Sequence, residues 1–74
     1  MIDNCQYVAY AEGDNTGVIV GVGARNLIPW KELFYKLAGR GYVEKPTALE
    51  ITKAGGDFEY LMLDQGYRIL EVTL

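Results

Sequence analysis

Few side chains in this chain are suited to catalysis. Histidine is absent, which removes the most frequent general base and the most frequent metal ligand. The single cysteine, Cys5, therefore has no imidazole to activate it, and we expect a buried, unreactive thiol. One cysteine also excludes an intrachain disulfide, which fits a reducing compartment.

The ten acidic residues are the other candidates for chemistry. Their spacing matches neither a calcium-binding loop nor the paired acids of a glycosidase. Asp14, Asp57 and Asp64 lie in turn-like segments, where aspartate is common. We therefore predict no catalytic residue, no metal site, no cofactor and no enzymatic activity.

A glycine-rich segment, residues 21–26, imitates part of a dinucleotide-binding fingerprint. Asn26 stands where the third glycine is required, and the surrounding β-α-β unit is missing. We interpret Gly21 and Gly23 as marking a bend or a close backbone approach at the end of a strand.

The hydrophobic pattern predicts a single α+β domain over residues 1–74, with the order ββαβββ. Residues 5–12 and 18–22 form a hairpin around a turn at 13–17, and residues 29–38 form the helix, with Trp30 as its largest anchor. Three strands then follow, joined by turns at Gly55-Gly56 and Asp64–Gly66. They span residues 47–53, 57–63 and 67–73.

This arrangement is a small antiparallel sheet with one helix packed on one face. Because one helix covers only one side of a five-stranded sheet, a second and partly apolar face stays open. In the N-terminal hairpin, Val8 and Tyr10 share that face with Ile19, while Tyr7, Ala9 and Ala11 share the helix-covered face with Val18, Val20 and Val22. The residues predicted to bind a partner there are Tyr10, Ile19, Glu59, Leu61, Leu63, Tyr67, Ile69 and Glu71.

The net charge of −3 is unevenly distributed. Residues 25–53 carry six basic and three acidic side chains, between two acidic ends. The helix followed by Arg40-Gly41-Tyr42-Val43 and by Ile51–Gly55 resembles the tail of a winged helix. That resemblance implies phosphate contacts from Lys31, Lys36 and Arg40, and a DNA- or RNA-binding regulator is the alternative function. A tyrosine-bearing sheet platform for single-stranded nucleic acid is a variant of it.

The preferred function is binding to another protein without chemistry. The partner is either a second copy, giving a homodimer, or a heterologous protein. A small acidic domain suits an inhibitor of a nucleic-acid-handling protein, because its acids can occupy a site built for phosphates. In size and charge alone the chain is similar to small phage and mobile-element regulators, anti-CRISPR proteins among them. No signal peptide or membrane span is predicted, so we expect the cytoplasm, or the host cytoplasm for a viral protein.

Overall fold

A computed structural model describes residues 4–14 and 16–73 of the chain. Three strands form one antiparallel sheet in the order β2-β1-β3. The predicted α+β class is confirmed, but within the described residues the order is ββαααβ, with three strands rather than five and three helices rather than one. The elements are β1 (Asn4–Ala11), β2 (Gly17–Ala24), α1 (Trp30–Gly39), α2 (Ala48–Lys53), α3 (Phe58–Asp64) and β3 (Tyr67–Thr73).

The N-terminal hairpin forms as predicted, although Asn15 in its turn lies outside the described residues. A β-bulge interrupts the register, because Tyr7 is paired with Gly21 while Val8 is paired with Ile19. The extra residue, Val20, is buried. A bulge of this kind shifts the following residues by one position, so Val22 is paired with Gln6 and does not share the face of Tyr7.

Of the two alternatives predicted for Gly21 and Gly23, the close backbone approach is found. A Cβ atom on Gly23 would stand 3.1 Å from Cε2 of Tyr7, and one on Gly21 would stand 3.3 Å from Cδ2 of Leu33. Glycine therefore lets β2 pack tightly against the Tyr7 ring and against α1.

Helix α1 begins at Trp30, immediately after Pro29, and ends in a glycine motif. Gly41 has a positive φ of 79°, the Tyr42 N–H donates to the Leu37 carbonyl, and the Gly41 N–H donates to the Ala38 carbonyl. These two bonds satisfy carbonyls that a helix end otherwise leaves unpaired. Gly41 takes the left-handed conformation that stops the helix, whereas Gly39 is the last helical residue.

The strand predicted over residues 47–53 is wrong, because this segment is α2. Thr47 caps the helix by accepting a hydrogen bond from the Glu50 N–H, while the Glu50 carboxylate accepts one from the Thr47 N–H over 2.9 Å. This reciprocal arrangement is a capping box. Gly55, with a positive φ of 66°, ends α2 instead of turning a hairpin.

The strand predicted over residues 57–63 is also wrong, because this segment is α3. Asp57 caps it by accepting a hydrogen bond from the Tyr60 N–H over 3.0 Å. Phe58, Leu61 and Met62 are buried, which is the i, i+3, i+4 spacing of one helix face. With no strands at 47–53 and 57–63, the predicted pairing between them does not exist.

The third strand, β3, has the predicted bounds but a different neighbour. It is paired antiparallel with β1, with Ala9 opposite Ile69 and Val8 opposite Leu70. The helices cover one face of the resulting sheet, here called the inner face. Phe34, rather than Trp30, is the fully buried aromatic of α1, and Trp30 is only partly buried. The buried core comprises Cys5, Tyr7, Ala9, Val20, Leu33, Phe34, Leu37, Val43, Phe58, Leu61 and Met62.

Candidate protein interface

The second side of the sheet, here called the open face, has no helix on it among the described residues. Side chains alternate between faces along a strand, and paired residues share a face. The inner face of β1 is marked by buried Cys5, Tyr7 and Ala9, so the residues between them and their pairing partners lie on the other side. The open face comprises Gln6, Val8, Tyr10, Gly17, Ile19, Val22, Arg68, Leu70 and Val72.

Most of the open face is apolar and in contact with solvent. Ile19 is 56% exposed, Val22 60%, Leu70 52% and Val72 39%, and Val8 and Tyr10 are half-buried beside them. Monomeric proteins rarely leave a contiguous apolar patch in water unless it binds something. The open face is therefore the best candidate interface in the described part of the chain.

A shallow depression of about 280 Å³ lies on the open face beside the hairpin turn. Val8, Tyr10 and Leu70 line it together with Asp14, Thr16 and Gly17. Gly17 keeps this space open, because a Cβ atom at that position would stand 2.5 Å from Cγ1 of Val8. The open face thus has both projecting aliphatic side chains and a hollow.

The structure assembles only part of the predicted partner surface. Tyr10 and Ile19 lie on the open face as expected, and Val8 lies with them. Leu61 is buried, whereas Glu59 and Leu63 are exposed on α3, away from the sheet. The surface expected around Leu61 and Leu63 does not exist, because those residues form a helix.

The β3 residues of the predicted surface lie on the inner face of the sheet rather than on the open face. Tyr67 and Ile69 pack against the buried core. Glu71 is paired with Tyr7 on the inner face, and its carboxylate accepts a hydrogen bond from the Asn26 N–H over 3.2 Å. The predicted face of β3 is wrong because the sequence pattern pairs β3 with residues 57–63, whereas its partner in the structure is β1.

Four apolar residues of the open face were missed as partner-binding candidates: Val8, Val22, Leu70 and Val72. Val8 was placed on the correct face but not selected. Leu70 and Val72 were assigned to the helix-covered face, and Val22 was assigned there because a β-bulge leaves no clear signal in the hydrophobic pattern. The strict alternation of β3 was the available signal, but it does not state which set of side chains faces the helices.

Cys5 and Tyr7 are buried at one end of the inner face, as expected for an unreactive thiol. The Tyr7 hydroxyl donates to the Ala24 carbonyl, and the Cys5 thiol donates to the Gly23 carbonyl over 3.6 Å. Burial raises the pKa of Tyr7 to about 12, with smaller contributions from the Cys5 side chain and from the negative charge of Glu71. Cys5 and Tyr7 are therefore tightly packed at this end of the sheet.

A groove in the helical layer is lined by four acidic side chains. Its two adjoining cavities, of about 390 and 590 Å³, share Glu50, Leu61 and Asp64. Glu44 and Asp57 are the other acids in the lining, Lys53 is the cation, and no groove residue belongs to the sheet. Among the described residues, the side chains of Glu44 and Asp64 form no ion pair.

The three basic residues predicted to contact nucleic acid do not form one patch. The Arg40 guanidinium donates to the Ile19 carbonyl over 2.8 Å, and Lys36 Nζ lies 3.6 Å from the position a Gly21 Cβ would occupy. Lys31 is roughly 140° around the helix from Lys36 and lines a cavity with Asp57 and Glu59. The winged-helix order of elements is also absent, since all three helices follow the hairpin.

Within residues 4–14 and 16–73, no three potential metal-ligating side chains lie close enough together to hold an ion. No helix in the same residues has the length and apolar character needed to cross a bilayer. The chain matches no protein-family model, no curated protein and no solved structure.

Proposed function

We propose that this protein is a non-enzymatic interaction module that binds another protein through the open face of its sheet. The supporting observation is the row of exposed aliphatic side chains across three strands, centred on Val8 and flanked by Ile19 and Leu70. Removing apolar surface from water favours association by about 25 cal/mol for each Å², before the entropic costs of binding are subtracted. Aliphatic side chains with one aromatic neighbour, Tyr10, suit a protein partner better than stacked bases.

The finer proposal is an inhibitor of a nucleic-acid-handling protein, as expected for some small phage and mobile-element proteins. The acidic groove supports it, because Glu44, Glu50, Asp57 and Asp64 line adjoining cavities with Lys53 as the cation. Carboxylates in a concave surface attract a basic patch of the kind that binds phosphates. In this proposal the groove recognises the basic partner, while the open face contributes apolar contact with a protein.

The test is affinity capture from an extract of the native host with matched variants. Leu70→Glu places a charge in the middle of the open face, whereas Leu49→Glu changes an exposed leucine of α2 that lies outside it. We expect one discrete protein to be captured by the wild type and by Leu49→Glu, but not by Leu70→Glu. Circular dichroism confirms that both variants remain folded.

Two results would contradict the proposal. Equal capture by the wild type and Leu70→Glu, with the same oligomeric state in both proteins, would remove the open face from the interaction. Captured nucleic acid that dissociates steeply with salt, and is lost when Lys31, Lys36 and Arg40 are neutralised, would support the nucleic-acid regulator instead.

The acidic groove has its own test. Loss of capture with Glu44→Gln and Asp64→Asn, at unchanged folding, is expected for the basic-partner proposal.

A further inference from the structure

We infer that a second copy of this chain occupies the open face, so that two sheets pack face to face in a symmetric homodimer. This inference rests on the proposed function, because it names the partner of the same surface. The acidic groove remains accessible in such a dimer, since none of its residues belongs to the sheet.

The charge distribution on the open face permits it to pack against itself. A twofold axis places the same patch on both sides of an interface, so a patch with many charges of one sign would repel its copy. Arg68 is the one charged residue among those that define the open face. Its guanidinium lies 3.3 Å from the carboxylate of Glu12 in the same chain. Asp14, which lines the depression, accepts hydrogen bonds from the Thr16 N–H and hydroxyl over 2.9 Å.

The shape of the open face also suits self-association. Ile19, Val22 and Leu70 project from it with more than half of each side chain exposed. The depression of about 280 Å³ beside Tyr10 and Gly17 can receive an aliphatic side chain. A patch that has both a projection and a hollow is able to fit its own copy after a twofold rotation.

The β2 edge of the sheet is less suited to pairing than its face. A copy added at the edge of β2 would need free backbone groups along that strand. The Ile19 carbonyl already accepts a hydrogen bond from Arg40. Two sheets packed through their faces, about 10 Å apart, leave this bond intact.

The size of the open face sets the expected strength of the dimer. Three strands about 4.8 Å apart, with seven residues about 3.3 Å apart, form a face of roughly 14 by 23 Å. Two such corrugated faces bury roughly 700 to 1,000 Å², which is less than the roughly 1,200 Å² of a stable specific interface and is the size of a weak, transient contact. We therefore expect a reversible dimer with a dissociation constant of roughly 0.01 to 1 mM.

Sedimentation equilibrium on the full chain, over protein concentrations of roughly 0.01 to 1 mM, tests the inference. We expect the wild type and Leu49→Glu to shift from monomer to dimer, while Leu70→Glu and Ile19→Lys stay monomeric. Raising the salt concentration should maintain or strengthen the dimer, because the contact is apolar and each copy carries a net charge of −3. Backbone amide NMR on dilution should shift signals of β1, β2 and β3 more than those of α2.

A wild type that stays monomeric at every concentration overturns the inference. So does a dimer that persists in both Leu70→Glu and Ile19→Lys, because the contact must then lie elsewhere. The proposed function fails together with the inference when neither host-protein capture nor dimer formation is changed by Leu70→Glu. A monomeric wild type whose capture of a host protein depends on Leu70 would retain the interaction module and reject only the second copy.

Discussion

The guanidinium group of Arg40 donates a hydrogen bond to the backbone carbonyl of Ile19, with 2.8 Å between the nitrogen and the oxygen. Arg40 follows the last residue of α1, and Ile19 lies in the edge strand β2. The bond therefore connects the end of the helix to the edge of the sheet. It also engages a side chain that the winged-helix resemblance assigns to phosphate binding.

Replacing Arg40 by alanine should lower the free energy of unfolding by about 1 kcal/mol, because the bond is charge-assisted but exposed to solvent. Lys31→Ala removes an exposed charge from the same helix and should change it by less than about 0.5 kcal/mol. Urea unfolding followed by circular dichroism measures both values. Equal losses in the two variants would mean that the contact with Ile19 contributes nothing specific.

Adding a methyl group at Gly23 should destabilise the protein by about 1 to 3 kcal/mol, because the new Cβ would stand 3.1 Å from the buried Tyr7 ring. Gly39→Ala is the control and should change the stability in the opposite direction. It lies in α1 with no atom within 4 Å of the new Cβ, and alanine favours a helix by up to about 1 kcal/mol. Thermal unfolding of both variants checks this, and a stable Gly23→Ala would contradict the close approach.

Alkaline pH should destabilise the protein through Tyr7. Its pKa rises from 10.0 to about 12 on folding, so the folded protein holds this proton more tightly than the unfolded chain does. The stabilisation is complete below about pH 10 and is lost as the pH rises through about 12. Urea unfolding at several pH values should show this decline in the wild type.

Two tyrosine variants separate this effect from general alkaline unfolding. Tyr7→Phe should lose about 1 kcal/mol at neutral pH, because its hydrogen bond to the Ala24 carbonyl is removed, and should show a shallower alkaline decline. Tyr60→Phe changes an exposed ring on α3 and should behave as the wild type does. An identical alkaline profile in all three proteins would contradict the role assigned to Tyr7.

Charge substitutions on α3 distinguish the helix from the strand that the sequence suggested. Leu61 is 8% exposed and Leu63 is 39% exposed. Leu61→Glu should unfold the protein or cost at least about 3 kcal/mol, because it buries an unpaired charge. Leu63→Glu should cost less than about 0.5 kcal/mol. Similar tolerance of both changes, measured by circular dichroism and urea unfolding, would favour the strand.

Several elements could be predicted from the sequence because their signals are local. Helix α1 combines apolar residues spaced at i, i+3, i+4 and i+7 with a following Gly41. The first hairpin joins two β-rich segments around a turn, and β3 alternates throughout its length. Such patterns depend on neighbours a few positions away in the chain, so they can be recognised without knowledge of the rest of the fold.

Residues 48–64 were assigned incorrectly because two periodicities compete there. Ile51 and Thr52 favour a strand by type, and the segment from Phe58 to Leu63 fits two-residue alternation nearly as well as a helix face. The pair Thr47 and Glu50 was the overlooked signal, since its spacing is that of a capping box. Burial of Phe58 and Met62 against α1 and the sheet decided in favour of the helix.

The sequence by itself determined that the domain is α+β, that β1, β2 and β3 are strands, and that Val8, Tyr10 and Ile19 share a face. Only the tertiary structure decided that β3 lies beside β1, and therefore that Leu70 faces outward while Ile69 faces the core. Alternation divides the side chains of a strand into two sets but does not indicate which set is buried. That choice depends on which face the helices cover, and this is settled by packing between residues far apart in the chain.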